Sequence, residues 1–213
     1  MKVICVGGVS SNCGKTSLVL LLSRVFPGWA VIKVTPSRLG ETCPNERDCG
    51  ACTPPDDGPY EIIVDPDRLS TPGKDTARYL KAGVSRVMWI RSLPEHIPAA
   101  LEAGFAQISD APGVIIESTS SIRHVDGLSI MTVRDSLDRI KASALEALPF
   151  VDLTALNTPE DGSVSECVMA GISMLQLKQT TRIIPVCPIL PPEAPPNRSF
   201  IEAVRNAVDT FGG

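Results

Sequence analysis

Two sets of residues in this sequence have types and spacing suited to chemistry. The first is Gly7-Gly8-Val9-Ser10-Ser11-Asn12-Cys13-Gly14-Lys15-Thr16-Ser17, near the N-terminus. A polyphosphate needs many hydrogen-bond donors without a crowd of bulky side chains, and backbone N–H groups bounded by glycines supply them. Lys15 has the reach and charge for the β- and γ-phosphates, and the Thr16 hydroxyl can ligate an accompanying magnesium ion. Gly8, Ser10, Ser11, Asn12, Cys13, Gly14, Lys15, Thr16 and Ser17 are therefore candidate nucleotide-binding residues, with Lys15 also a candidate for catalysis. The loop is one residue longer than the usual Gly-x4-Gly-Lys-Thr, because the first glycine is Gly8 and Val9 stands where it would otherwise be. Cys13 either fills space or, with its sulfur on the helix N-terminus, has a lowered pKa.

The second set consists of polar residues placed just after apolar runs. Lys33 and Thr35 close one run, Asp65 and Asp67 another, Glu117 follows Val114-Ile115-Ile116, and Asn157 follows the run from Phe150. A carboxylate behind three buried apolar residues is costly unless a cation or hydrogen bonds meet it. Magnesium would meet it, so Thr16, Glu117 and Asp65 are the expected magnesium residues. Asp75 could sense that ion or orient an attacking water, which makes Asp75 and Glu117 the other catalytic candidates. Lys33, Lys74 and Asn157 are expected on the nucleotide side; a helix-start acid with a solvated lysine is the simpler reading of Lys74-Asp75. Separately, Cys43, Cys49 and Cys52 form Cys-x5-Cys-x2-Cys within a polar, proline-rich stretch. Three thiols so close on a loop suggest zinc or an iron–sulfur cluster, with a fourth ligand supplied from elsewhere.

The elements that must position these groups follow from periodicity. Residues 2–6 are apolar and β-branched, a buried strand, and Leu18, Val19, Leu21, Leu22, Val25 and Phe26 recur at helical spacing behind the loop. Further strands are expected at 29–35, 60–65, 84–90, 113–118, 128–133, 150–156 and 182–186. Helices are expected at 73–80, 94–105, 136–148, 159–177 and 199–211. The alternation predicts a three-layer α/β fold, a mostly parallel sheet with helices on both faces. Such sheets bind ligands outside the carboxyl ends of their strands, where these polar residues fall. The 213 residues need only one domain, 1–213, with a Cys-rich insert at about 36–59.

Composition limits the function classes. With 43% hydrophobic and 21% charged residues the chain is ordinary for a globular protein, and a net charge of −4 argues against general binding of nucleic acid or anionic membranes. No apolar run approaches a membrane span and no cleavable leader is evident, so a cytoplasmic protein is expected, its seven cysteines thiols or metal ligands.

The longer phosphate loop resembles those of dethiobiotin synthetase and the cobyrinic acid amidating enzymes, within a class of P-loop proteins that includes signal-recognition GTPases, MinD-like ATPases and metallochaperone GTPases. Ile32-Lys33-Val34, Pro72-Gly73-Lys74-Asp75-Thr76-Ala77-Arg78, Ala82-Gly83 and Ile115-Ile116-Glu117 make residues 2–133 similar to the molybdopterin-guanine dinucleotide biosynthesis protein B family (MobB). That resemblance implies a P-loop fold, GTP with magnesium, slow GTP hydrolysis, and an accessory role beside a protein partner in assembling molybdenum cofactor or another metal centre. By analogy with the class, the chain is expected to act as a homodimer. The sequence departs from the MobB pattern in Ser118 after Glu117, and the cysteine loop stands where the family has a histidine segment. Asn157-Thr158-Pro159-Glu160 faintly resembles a guanine-reading segment, so ATP stays open beside GTP. Two other readings are an ATP-dependent ligase that activates a carboxylate, and a non-catalytic metal-binding or metal-sensing module.

Overall fold

The computed structural model describes residues 1–37, 55, 57–134, 140–164, 166–173, 175 and 177–211. Cys43, Cys49 and Cys52, proposed above to hold zinc or an iron–sulfur cluster, lie outside the described residues.

The described chain builds one eight-stranded sheet in the order β3-β4-β2-β5-β1-β6-β7-β8. The strands are β1 (Lys2–Gly8), β2 (Ala30–Pro36), β3 (Tyr60–Ile63), β4 (Val87–Ser92), β5 (Gly113–Glu117), β6 (Leu128–Val133), β7 (Leu153–Asn157) and β8 (Arg182–Val186). The helices are α1 (Lys15–Val25), α2 (Pro66–Leu69), α3 (Asp75–Lys81), α4 (Ile97–Ala106), α5 (Ala142–Ala147), α6 (Glu166–Ser173) and α7 (Arg198–Thr210). All strand pairs are parallel except β3 with β4. The α/β architecture expected from the alternation is therefore the observed one.

Two buried apolar clusters explain the layers. Along β1 and β5 successive side chains point to opposite faces, so Ile4, Val6 and Ile115 join Leu18, Leu22 and Phe200 of α1 and α7. Cys5, Val114 and Ile116 join Ile97, Leu101 and Ala144 of α4 and α5 on the other face. Central strands buried on both faces must be apolar throughout, which is why β1 and β5 read as unbroken apolar runs. β1 sits mid-sheet with β5 on one side and β6 on the other. The connection through α1 runs toward β2 and later elements return to the β6 side, so the end of β1 is the topological switch point.

Two sequence expectations are corrected, the first because of a strand's direction. β3 is an antiparallel edge strand, with Tyr60 opposite Ser92 and Ile63 opposite Trp89. The chain therefore leaves β3 toward the starts of the parallel strands, and Val64 and Pro66 line a cavity with Ala30, Val31 and Val87 there. Asp65, expected at the magnesium end, instead caps α2 by accepting the Arg68 N–H at 2.9 Å. A strand's direction depends on its neighbours and leaves no local mark. The helix expected at 159–177 is shorter, Glu166–Ser173. Before it, Gly162 (φ 71°) and the Ser163 N–H, donated to Asp161 Oδ1 at 2.9 Å, fold a turn that helical residues could not make.

β8 contains Pro185, opposite Leu156. Proline lacks the N–H a central strand would need, and β8 is an edge strand, so its outer side has no neighbour to satisfy. No described helix is long and apolar enough to cross a membrane.

Candidate phosphate and cation site

The glycine-bounded loop leaves β1 and enters α1 at Lys15, so the first N–H groups of the helix face the carboxyl edge of the sheet. Its curvature depends on two glycines. A Cβ on Gly8 would lie 2.2 Å from the Cys13 sulfur and 2.9 Å from Lys15 Cγ. The aliphatic part of Lys15 thus folds back across Gly8, an approach only glycine permits. Gly14 has φ 97°, and a Cβ there would meet Asn157 Nδ2 at 2.1 Å. Asn12 also lies in the left-handed region at φ 59°, which asparagine tolerates better than most residues. Cys13 is buried with its sulfur packed on Gly8, which favours the space-filling reading.

Two side chains from outside the loop, one at the end of β7 and one just after β5, brace it. Asn157, at the end of β7, donates from Nδ2 to the Cys13 carbonyl at 3.2 Å. The Thr119 hydroxyl accepts the Gly8 N–H at 3.0 Å and lies 3.3 Å from the Gly8 carbonyl, to which it can donate. Asn157 was expected beside the nucleotide; this contact fixes the loop.

Beyond Lys15, four groups from separate elements converge. Thr16 Oγ1, in the first turn of α1, lies 2.9 Å from Asp75 Oδ1 at the start of α3 and 3.3 Å from Glu117 Oε1 at the end of β5. Lys33, on β2, reaches both carboxylates, with Nζ 2.6 Å from Asp75 Oδ2 and 2.6 Å from Glu117 Oε1. The Tyr79 hydroxyl donates to the other oxygen of Glu117. The register places two of these groups side by side, since Lys33 pairs with Glu117 across β2 and β5.

Burial and charge define the chemistry. Glu117 is 1% exposed, and Lys33, Thr16 and Tyr79 surround its carboxylate with donors, so its burial is met by a cation and hydrogen bonds. Burial alone would lower the Lys33 pKa; the Glu117 and Asp75 carboxylates outweigh it and hold the ammonium above the ordinary lysine range. For Asp75 burial would raise the pKa, but the Lys33 ammonium, helped by the Thr16 hydroxyl and the Arg78 charge, holds the carboxyl below the ordinary range. The donor set of a hydroxyl and two carboxylates suits a hard divalent cation such as magnesium. No group of three or more histidines, cysteines and acids able to hold a metal occurs among the described residues.

Of the expected site residues, Thr16, Lys33, Asp75 and Glu117 come together, and Lys15 lies beside them on a shared cavity. Asp65 does not join them. Lys74 has its Nζ 5.5 Å from the centre of the Trp89 ring. Ser11, Lys15, Lys33 and Glu117 line a cavity of about 590 Å³ that continues toward Arg123 and Lys141. Tyr79 and Thr119 were not legible as site residues. Tyr79 lies four residues after Asp75, hence on the same face of α3, a spacing that could have revealed it.

These features define an α/β protein with a glycine-bounded loop at the switch point of a mostly parallel sheet. The sequence matches no protein-family model and no curated protein. Among solved structures, the "apo" form of LpxK from Aquifex aeolicus in complex with ATP is similar, with a TM-score of 0.45 and 16% identity over 87% of this chain and 53% of that one. The chain therefore spans about half the length of that structure.

Proposed function

We propose that the chain binds a nucleoside triphosphate with magnesium on the Gly8–Ser17 loop and hydrolyses it slowly. The single observation that carries this reading is the convergence of Asp75 and Glu117 on Thr16, the residue after Lys15, with Lys15 and Glu117 lining one cavity. Lys15 and the first N–H groups of α1 would hold the β- and γ-phosphates, and Thr16, Asp75 and Glu117 would hold magnesium, directly or through water. The bound ion would neutralise charge that develops on the phosphates. GTP is preferred over ATP on the Pro72–Arg78 segment's likeness to MobB, and an accessory role in metal-centre assembly rests on the same likeness.

Calorimetric titration with GTP, ATP and their diphosphates, with and without magnesium, tests this. Lys15 would supply charge-assisted hydrogen bonds of about 1.5–3 kcal/mol. Lys15→Ala should therefore weaken triphosphate binding roughly 10- to 150-fold. Unchanged affinity removes the assignment.

The cavity leading from Lys33 to Arg123 and Lys141 favours a second reading, an ATP-dependent ligase in which a carboxylate oxygen takes the γ-phosphoryl group and the diphosphate leaves. Phosphate release that requires an added small carboxylic acid would select it. Cys43, Cys49 and Cys52 are proposed to hold zinc or iron. Elemental analysis of anaerobically purified protein should find metal that Cys49→Ser loses, and metal-free protein counts against the trio.

A further inference from the structure

Lys33 stands where the proposed cation would be needed. Its ammonium contacts Asp75 and Glu117 at 2.6 Å each, and both acids also contact the Thr16 hydroxyl. Two carboxylates thus close around one positive charge supplied by the chain itself, and a hydroxyl from a third element bridges the two acids. Glu117 is fully buried and fixed on a central strand, and Tyr79 holds its second oxygen. Lys33 is the opposite kind of group, a point charge on a four-carbon stem, and its side chain also borders the cavity. Both oxygens of Glu117 are held, whereas the Lys33 ammonium sits at the end of a stem with four rotatable bonds.

From this geometry we infer that Lys33 is an internal substitute for the divalent ion, and that the ammonium and the metal compete for the Asp75–Glu117 pair. With Lys33 in place, the pair's two negative charges meet one positive charge, and binding a divalent ion requires the ammonium to leave or share its oxygens. Released, the Lys33 head would enter the cavity beside Lys15. The arrangement keeps two acids from facing each other uncompensated while the site holds no metal, and it makes loading of the ion depend on moving one side chain. The inference rests on reading Thr16, Asp75 and Glu117 as the cation end of the nucleotide site.

The probe is manganese alone, titrated into nucleotide-free protein and followed by electron paramagnetic resonance of the free ion. Lys33→Met should bind manganese at least tenfold more tightly than the unmodified chain, whereas Lys33→Arg, which keeps a cation there, should not. Equal affinity of Lys33→Met and the unmodified chain overturns the inference. Should Lys33→Met not fold, the unmodified chain decides. Amine labelling of Lys33, read by peptide mass spectrometry, should rise several-fold with 10 mM manganese over a potassium control of equal ionic strength, and unchanged labelling refutes competition. No nucleotide is present in either measurement. Tight manganese binding by Lys33→Met alongside no binding of GTP or ATP would sink the proposed function and leave this inference standing; the reverse pattern would do the opposite.

Discussion

At the scale of single residues, the site is a problem of keeping a buried acid satisfied. Glu117 has donors from Lys33, Thr16 and Tyr79. Tyr79 itself is wholly buried, so its hydroxyl has no water to turn to if the carboxylate is lost. Tyr79→Phe removes one hydrogen bond to an ionised group without opening a cavity, and such bonds are worth about 1.5–3 kcal/mol. Chemical denaturation should show a loss of that size through a shifted midpoint with an unchanged slope. A loss near zero would mean that Lys33 and Thr16 suffice. Glu117 was legible in the sequence because a charge ending an apolar run is a local feature. Lys15 and Thr16 were legible for the same reason, since spacing alone places them. Tyr79 was not, because an aromatic residue in a short helix reads as core, and only the fold turns its hydroxyl onto β5, three elements later in the chain.

Elements carry information of another kind. β1, α1 and β5 announce themselves through unbroken apolar runs and helical periodicity, and their order already fixes the loop at a strand end. Direction is harder. Asp65 was expected at the magnesium end because it closes an apolar run and was placed with the other strand-closing residues at the carboxyl ends of a mostly parallel sheet, yet β3 runs antiparallel at the sheet's edge. Nothing in Tyr60-Glu61-Ile62-Ile63 distinguishes the two directions. The proline-rich connection after β8 poses the converse problem, since prolines lack N–H groups and leave carbonyls in search of donors. Asn197 answers it. Buried at the start of α7, it accepts the Cys187 N–H at 2.8 Å and donates toward the carbonyls of Cys187, Leu190 and Pro191. Asn197→Ala should cost about 1–3 kcal/mol for the stranded Cys187 N–H alone. Thermal unfolding should register that loss while nucleotide affinity stays unchanged, because the turn lies at the far edge of the sheet from β2 and β5.

Across the whole molecule, the response to pH separates the site from the surface. Exposed pairs such as Lys2–Asp209 contribute little to stability in either direction. The groups that matter are those whose pKa the fold displaces. Asp75 is held below its ordinary range, and Glu61, bonded to Arg68 and charged against Arg91, is held low as well. Carboxyls of this kind add stability that is complete above about pH 4.5, their ordinary range, and is lost as pH falls through the lowered values. Lys33 is displaced upward, so its contribution is complete below about pH 10.4 and is lost as pH rises through the raised value. The nucleotide-free protein, kept in chelator, should therefore show a stability plateau between an acid limb and an alkaline limb. Asp75→Asn should make the acid limb shallower but not abolish it, since Glu61 still titrates. Lys33→Met should lower the plateau, because Glu117 loses its buried counter-ion, and should flatten the alkaline limb. Denaturant titrations at a series of pH values read all three effects. An alkaline limb in Lys33→Met as steep as in the unmodified chain would mean that the ammonium between Asp75 and Glu117 does not set this molecule's upper pH limit.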